Sequence, residues 1–244
     1  MFDSSPAAAQ PLLFLFDIDG TLLRSGGAGQ EAMFRTLADA FGRTDISGDI
    51  AAAGRTDFAI TSDLYDEYEI DATDEVRQQF HDTYTGHLRD VLPELSGRVL
   101  PGVRESLDRL RAIESVTLGL LTGNYFEAAV VKLRHFKLSH YFCELRTLES
   151  TIGGYGDHDR SRDDVARRAM RAARSTDELL EPARTWVIGD TPADVQCGRA
   201  IDAKTIAVAT GQFDRDTLAA AEPDLLLDTL EGDWIDRVLA YHAD

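Results

Sequence analysis

Lysine is almost missing from this chain. Lys132, Lys137 and Lys204 are the only three among 25 basic residues, set against 43 acidic ones, for a net charge of −18. Such a surface repels phosphate backbones and anionic lipid headgroups, so no nucleic acid and no membrane is expected as a partner. Cysteine is scarce as well. Cys143 and Cys197 form neither a disulfide framework nor a CxxC site, and both are expected as buried thiols in a reducing compartment, the cytoplasm. No apolar run approaches the roughly 18 residues that a membrane span needs. The first ten residues lack basic side chains ahead of their short apolar run and do not read as a secretory signal. What is present is ordinary for a globular protein: 244 residues, 43% hydrophobic and 28% charged, enough for one large domain or two small ones.

Pro11 to Phe16 (PLLFLF) is a continuous apolar run that stops at Asp17, the pattern of a parallel strand buried on both faces. A Gly-rich loop follows. From about Gln30 to Leu92 the apolar residues recur at helical spacing: Met33, Phe34, Leu37 and Phe41, then Phe58, Ile60, Leu64 and Tyr68 with Asp57 as N-cap, then Val76, Phe80, Tyr84 and Leu88. This stretch predicts an all-helical insert. Beyond Val99, helices and strands alternate. Strands are expected at Val116–Leu121, Tyr141–Leu145, Thr185–Ile188, Lys204–Ala209 and Leu225–Leu227. A long Gly- and Asp-rich loop is expected from Ile152 to Ser161. The fold class is therefore α/β: a doubly wound, parallel-sheet (Rossmann-like) core over residues 1–23 and 99–244, with a helical cap over residues 24–98.

Ligands of such sheets gather at the carboxyl ends of the strands, and three of these strands end on Asp17, Thr122 and Asp190. Asp17 and Asp19 are one residue apart and repel each other unless a cation or a shared proton intervenes. With Asp190 added, the donor set suits a hard divalent ion such as Mg²⁺. As an isolated DxDG, the same residues also read as a plain turn. Thr122, Gly123 and Asn124 follow a strand and open a helix, so a hydroxyl and free N–H groups make an anion site; a simple helix cap is the alternative. Asp194 lies four residues after Asp190, in a first helical turn, where it serves either the metal or the helix dipole.

The three segments together, in this order, resemble the haloacid dehalogenase superfamily. Its first motif matches Asp17-Ile18-Asp19-Gly20-Thr21-Leu22, its second matches Thr122 within Leu-Thr-Gly-Asn, and its fourth matches Gly189-Asp190-Thr191-Pro192-Ala193-Asp194. The branch most resembled holds phosphoglycolate phosphatases and related small-substrate enzymes. The third motif departs from the family: its usual lysine is absent, because no lysine lies between Lys137 and Lys204. Arg162, nearest the start of the next helix, is favoured over Arg160 as its replacement.

The resemblance implies an Mg²⁺-dependent phosphatase acting on a small phosphorylated metabolite, as a monomer or homodimer. Asp17 would be the nucleophile and Asp19 the general acid and base. Asp17, Asp190 and the backbone carbonyl of Asp19 would hold the metal, with Asp194 in support. Gly20, Thr21, Thr122, Gly123, Asn124 and Arg162 would cradle the phosphate. Arg55 in the cap would meet a substrate carboxylate, unless it is merely an exposed loop residue. Two rivals remain: a mutase of the β-phosphoglucomutase type on the same scaffold, and a non-enzymatic phospho-acceptor signalling domain.

Overall fold

The computed structural model describes residues 10–44, 50–142 and 152–242. The first strand, β1 (Leu12–Phe16), is buried along its whole length. Its side chains alternate between two cores, as the period of two requires. Phe14 and Phe16 join Trp186, Ile188, Ile206 and Trp234 on one face. Leu13 and Leu15 join Val165, Ala169, Val187 and Cys197 on the other. A strand covered on both sides has no polar face to show, which is why PLLFLF is unbroken.

A two-residue strand β2 (Leu23–Arg24) follows, then helices α1 (Ala28–Phe41), α2 (Asp57–Glu67) and α3 (Asp74–Val91), then strand β3 (Arg98–Val99). β2 and β3 pair antiparallel as a narrow ribbon, through which the chain leaves the core and returns to it. Phe41, Tyr65, Phe80 and Tyr84 stack edge and face among the three helices. Thr73 caps α3, and Thr56 caps α2 by accepting from the amide of Ala59. The expected cap at Asp57 is thus displaced by one residue. Asp57 is the first helical residue, and its carboxylate is used elsewhere.

Strands and helices then alternate: α4 (Val103–Arg111), β4 (Val116–Leu121), α5 (Phe126–His135), β5 (Gly153–Gly154), α6 (Arg162–Thr176), β6 (Thr185–Gly189), α7 (Pro192–Arg199), β7 (Lys204–Val208), α8 (Arg215–Ala220), β8 (Leu225–Leu227) and α9 (Trp234–Tyr241). The sheet order is β5-β4-β1-β6-β7-β8, and every pairing in it is parallel. The core is a doubly wound parallel sheet. It grows from β1 first one way and then the other, so the crevice at the carboxyl end of β1 is the topological switch point.

The edge strand departs from expectation. Tyr141 closes a short 3₁₀ turn (Ser139–Tyr141) capped by Phe142 rather than opening a strand, and the rest of the expected strand, from Cys143, lies outside the described residues. The strand beside β4 is instead Gly153–Gly154, in the segment expected to be a loop. Glycine weakens a strand and hides it from pattern reading. Here it is required, because a Cβ on Gly154 would stand 2.2 Å from the carbonyl oxygen of Val165. Among the described residues no helix is long and apolar enough to cross a membrane.

Candidate active site

Each of the three central strands delivers a polar residue to the switch point. Asp17 follows β1, Thr122 follows β4 and Asp190 follows β6, and β1 lies hydrogen-bonded between the other two. The turn after Asp17 needs glycine. Gly20 has φ +85°, and a Cβ there would meet Asp190 at 2.3 Å. That close approach lets the first loop fold over the end of β6, where Thr21 Oγ1 donates to Asp190 Oδ1 at 3.1 Å.

Carboxylate oxygens of Asp17, Asp190 and Asp194 all lie within 4.8 Å of one another, and all three side chains are buried. Burial above all, helped by repulsion from neighbouring acids and opposed by Arg162, raises Asp17 and Asp190 over the ordinary carboxylate range. Two buried acids driven towards holding protons are what a divalent cation relieves, so the donor set fits a hard oxygen-seeking ion. The three acids do not contribute alike. Asp194 completes a capping box with Thr191: its Oδ2 accepts from the amide and hydroxyl of Thr191 at 2.9 and 2.7 Å. Its Oδ1 accepts from Arg162 Nη2. With both oxygens engaged, Asp194 supports the site from below, and Asp17 and Asp190 face the cavity.

Arg162 opens α6 and is buried at this cluster, its Nη2 3.5 Å from Asp17 Oδ1. Arg160 is exposed and pairs with Asp63 at 3.1 Å. The geometry separates the two arginines, and Arg162 is the one at the carboxylates. Cys197 packs beneath them. Burial pushes its thiol up to about 12, so it is an inert core group, as expected.

On the other flank, Thr122 Oγ1 accepts from Asn124 Nδ2 at 2.8 Å, and the same Nδ2 reaches Asp19 Oδ2 at 2.9 Å. Thr122 is fully buried under the cavity floor, while Gly123 and Asn124 line it. The expectation of free amides at the start of α5 is not met. Tyr125 N donates to Asp57 Oδ2 at 2.9 Å and Phe126 N to Asp157 Oδ1 at 3.1 Å. The positive helix end is occupied by two carboxylates of the chain itself. Sequence reading also passed over Lys132. It lies one turn beyond Ala128 on α5, whose start Asn124 precedes, and its Nζ reaches Asp19 Oδ2 at 2.5 Å and Asn124 Oδ1 at 2.6 Å. The signal was there, because a lysine inside the apolar run AAVVKL must find a buried partner.

A cavity of about 430 Å³ opens above these groups, within the range of small-ligand pockets. Asp17, Asp19, Gly20, Asp190 and Arg162 form its floor, and Arg55, Asp57, Ile60 and Tyr84 from the helical segment form its roof. Arg55 is half-exposed, and its Nη2 pairs with Asp63. The roof is bonded to the floor: Asp57 N donates to Gly123 O at 2.6 Å, Phe58 N to Gly156 O at 3.1 Å and Thr56 Oγ1 to Asp159 O at 2.7 Å.

Comparison with known proteins agrees with this geometry. The family profile described as haloacid dehalogenase-like hydrolase matches residues 12–202, a span that contains all four carboxylates, Arg162 and the helical segment. "Probable phosphatase IndB" of Dickeya dadantii is 28% identical over 222 residues, covering 89% of each chain. The phosphoglycolate phosphatase of Synechococcus elongatus is 30% identical over 142 residues, 58% of this chain and 59% of that one. The crystal structure of CbbY from Rhodobacter sphaeroides in complex with phosphate superposes with a TM-score of 0.69 at 18% identity, over 90% of this chain and 95% of that one. With its profile matched over residues 12–202, most of the sequence, the chain belongs to the haloacid dehalogenase-like hydrolase family.

Proposed function

We propose that this hydrolase is a cytoplasmic, Mg²⁺-dependent phosphatase that cleaves a small phosphate monoester, of the phosphoglycolate or sugar-phosphate kind, through an aspartyl-phosphate on Asp17. The observation that carries the reading is the meeting of Asp17, Asp190 and Asp194 within 4.8 Å, with Asp17, Asp19, Asp190 and Arg162 lining the floor of a partly open cavity. Residues 24–98 act as the cap that selects the substrate.

Asp17 and Asp190, with the backbone carbonyl of Asp19, would hold Mg²⁺, and Asp194 would keep them in place. When bound, the ion supplies the positive charge that lets a carboxylate approach an anionic phosphate. The chain does the rest. Asp17 attacks phosphorus, and the bond to the ester oxygen breaks. Asp19 gives its proton to the departing oxygen, then takes one from the water that cleaves the acyl phosphate. Arg162 and the backbone of Gly20, Gly123 and Asn124 hold the phosphate oxygens as charge spreads over them; the hydroxyls of Thr21, spent on Asp190, and of Thr122, buried beneath the cavity, brace those loops instead of meeting the phosphate. Arg162 keeps a permanent charge where the family places lysine. Arg55, already paired with Asp63, would offer its remaining N–H donors to a substrate carboxylate.

The test is phosphate release from a panel of phosphate esters with Mg²⁺ and with chelator. Release that stops in chelator and is abolished in a folded Asp17→Asn variant is expected. An Asp17→Asn variant that keeps most of its activity would refute the nucleophile. Free phosphate produced without a bisphosphate activator separates a phosphatase from a mutase.

A further inference from the structure

The cation nearest Asp19 is Lys132, not the arginine in the place of the family's lysine. Lys132 is one of three lysines in the chain, and its side chain is only 5% exposed. Its ammonium has three donors. Two of them are spent on Asp19 Oδ2 at 2.5 Å and Asn124 Oδ1 at 2.6 Å. Asn124 closes the ring, because its Nδ2 donates to the same Asp19 oxygen at 2.9 Å and to Thr122 Oγ1 at 2.8 Å. Asp19 Oδ2 therefore receives two donors, while Asp19 Oδ1 has no protein donor among the described residues. A carboxyl pinned through one oxygen presents the other in a fixed direction. Asp19 is 37% exposed at its side chain and sits after the end of β1, so these side-chain hydrogen bonds bear on which way its carboxyl points. Gly29 of α1 lies over the ammonium, where a Cβ would come within 3.8 Å of Nζ and 3.6 Å of the Tyr84 hydroxyl.

From this ring we propose that Lys132 is a positioning residue for Asp19: it anchors Oδ2 so that Oδ1 faces the leaving oxygen of the substrate. The proposal rests on the phosphatase reading and deepens it by assigning what orients the proton donor. No atom of Lys132 enters the reaction. The proton passes from Asp19 to the departing alkoxide as the phosphorus–oxygen bond breaks.

Because Lys132 acts only through that proton transfer, its loss is felt where the leaving group needs a proton. The experiment compares kcat/KM, which reports formation of the acyl phosphate, for a simple alkyl phosphate and for p-nitrophenyl phosphate, whose phenolate leaves unaided. In Lys132→Met the alkyl substrate should lose about 10²-fold and the aryl substrate less than about fivefold, the span expected of a general acid. The Ki of inorganic phosphate should stay unchanged. Lys132→Gln, which keeps a polar end for Asn124, should behave alike and covers the case that Met does not fold. In an Asp19→Asn background the Lys132 change should cost the alkyl substrate less than about threefold, since a residue acting through another adds nothing once that one is gone.

Equal losses on both substrates, or a raised Ki for phosphate, would overturn the assignment and make Lys132 structural or a direct ligand of substrate. A further tenfold loss in the Asp19→Asn background would overturn it also. If the wild-type chain releases phosphate from neither ester, the phosphatase reading falls, and this one with it. If the wild type is active and only the variants disobey, the Lys132 assignment alone is lost.

Discussion

Arg162 bridges two of the buried acids: its Nη2 donates to Asp194 Oδ1 and stands 3.5 Å from Asp17 Oδ1. The guanidinium is thus held below the nucleophile by an acid that is itself locked in a helix cap. An exposed arginine two residues away, Arg160, is paired with Asp63 on the roof. Arg162→Ala is expected to lower kcat/KM by about 10²-fold or more, the cost of removing one preorganised donor to a developing anion. Arg160→Ala should stay within about twofold of wild type, as befits an exposed ion pair. Steady-state kinetics on the two variants checks this, and the reverse order would reassign the third motif.

Buried acids predict how the protein responds to metal. Burial raises both Asp17 and Asp190, and neighbouring acids add to it, Asp194 and Asp19 at Asp17, Asp17 and Asp194 at Asp190, so the folded chain gains from any ion that binds them and the unfolded chain does not. Thermal unfolding should move up with Mg²⁺ in the manner of a linked ligand, by about 2.7 kcal/mol at a hundredfold excess over Kd. Asp190→Asn should be less responsive to Mg²⁺, because one donor is lost. It should also be more stable than wild type in chelator at pH 8, because one buried charge is gone. Equal Mg²⁺ shifts in both proteins would remove Asp190 from the metal.

The alternating half of this fold was plain in the sequence because its signals are local. An apolar run such as VTLGLL or TWVI that stops at a polar residue needs no tertiary knowledge to be read as a buried strand. Asp17, Asp190 and Arg162 were legible for the same reason, since each sits where an element begins or ends. What escaped depends on distant partners. β5 is two glycines whose strand character comes from β4 and from the crowding carbonyl of Val165. Asp57 reads as a helix cap, and only the fold shows its carboxylate on the amide of Tyr125. Lys132 reads as a stray charge on an apolar face until α5 is laid beside Asp19.

The roof meets the floor so closely at Gly123 that no side chain fits there. A Cβ would stand 2.0 Å from the carbonyl oxygen of Arg55. Gly123→Ala should push the 55–58 segment away, break the Asp57 N to Gly123 O bond of 2.6 Å and leave the cavity open to water. Misplacing the roof by an ångström is expected to cost about 10²-fold in kcat/KM. Gly86→Ala is the control. It lies inside α3 with nothing within 4 Å of its added Cβ, so it should keep full activity and gain about 0.5–1 kcal/mol of stability. Kinetics and denaturant unfolding of the two variants check the pair.

Asp57 carries a pH signature. Its carboxylate is buried between roof and floor, and burial raises its pKa from 3.8 to about 6, against the opposing pull of Lys132 and the Tyr125 amide. Between those two values the folded chain still holds a proton that the unfolded chain has released. Stability must then fall as pH rises through this window, by about 1.4 kcal/mol per unit, and level off above pH 6. Asp57→Asn has no proton to lose, and its amide oxygen can still accept from Tyr125. The stability of Asp57→Asn minus that of wild type should therefore rise by about 2 kcal/mol between pH 4.5 and 7.5, most of it below pH 6. Urea unfolding of both proteins across this range, in chelator throughout so that the metal acids cancel in the difference, measures it. A difference that stays flat with pH would mean that Asp57 is ionised throughout and that its ties to Lys132 and Tyr125 outweigh its burial.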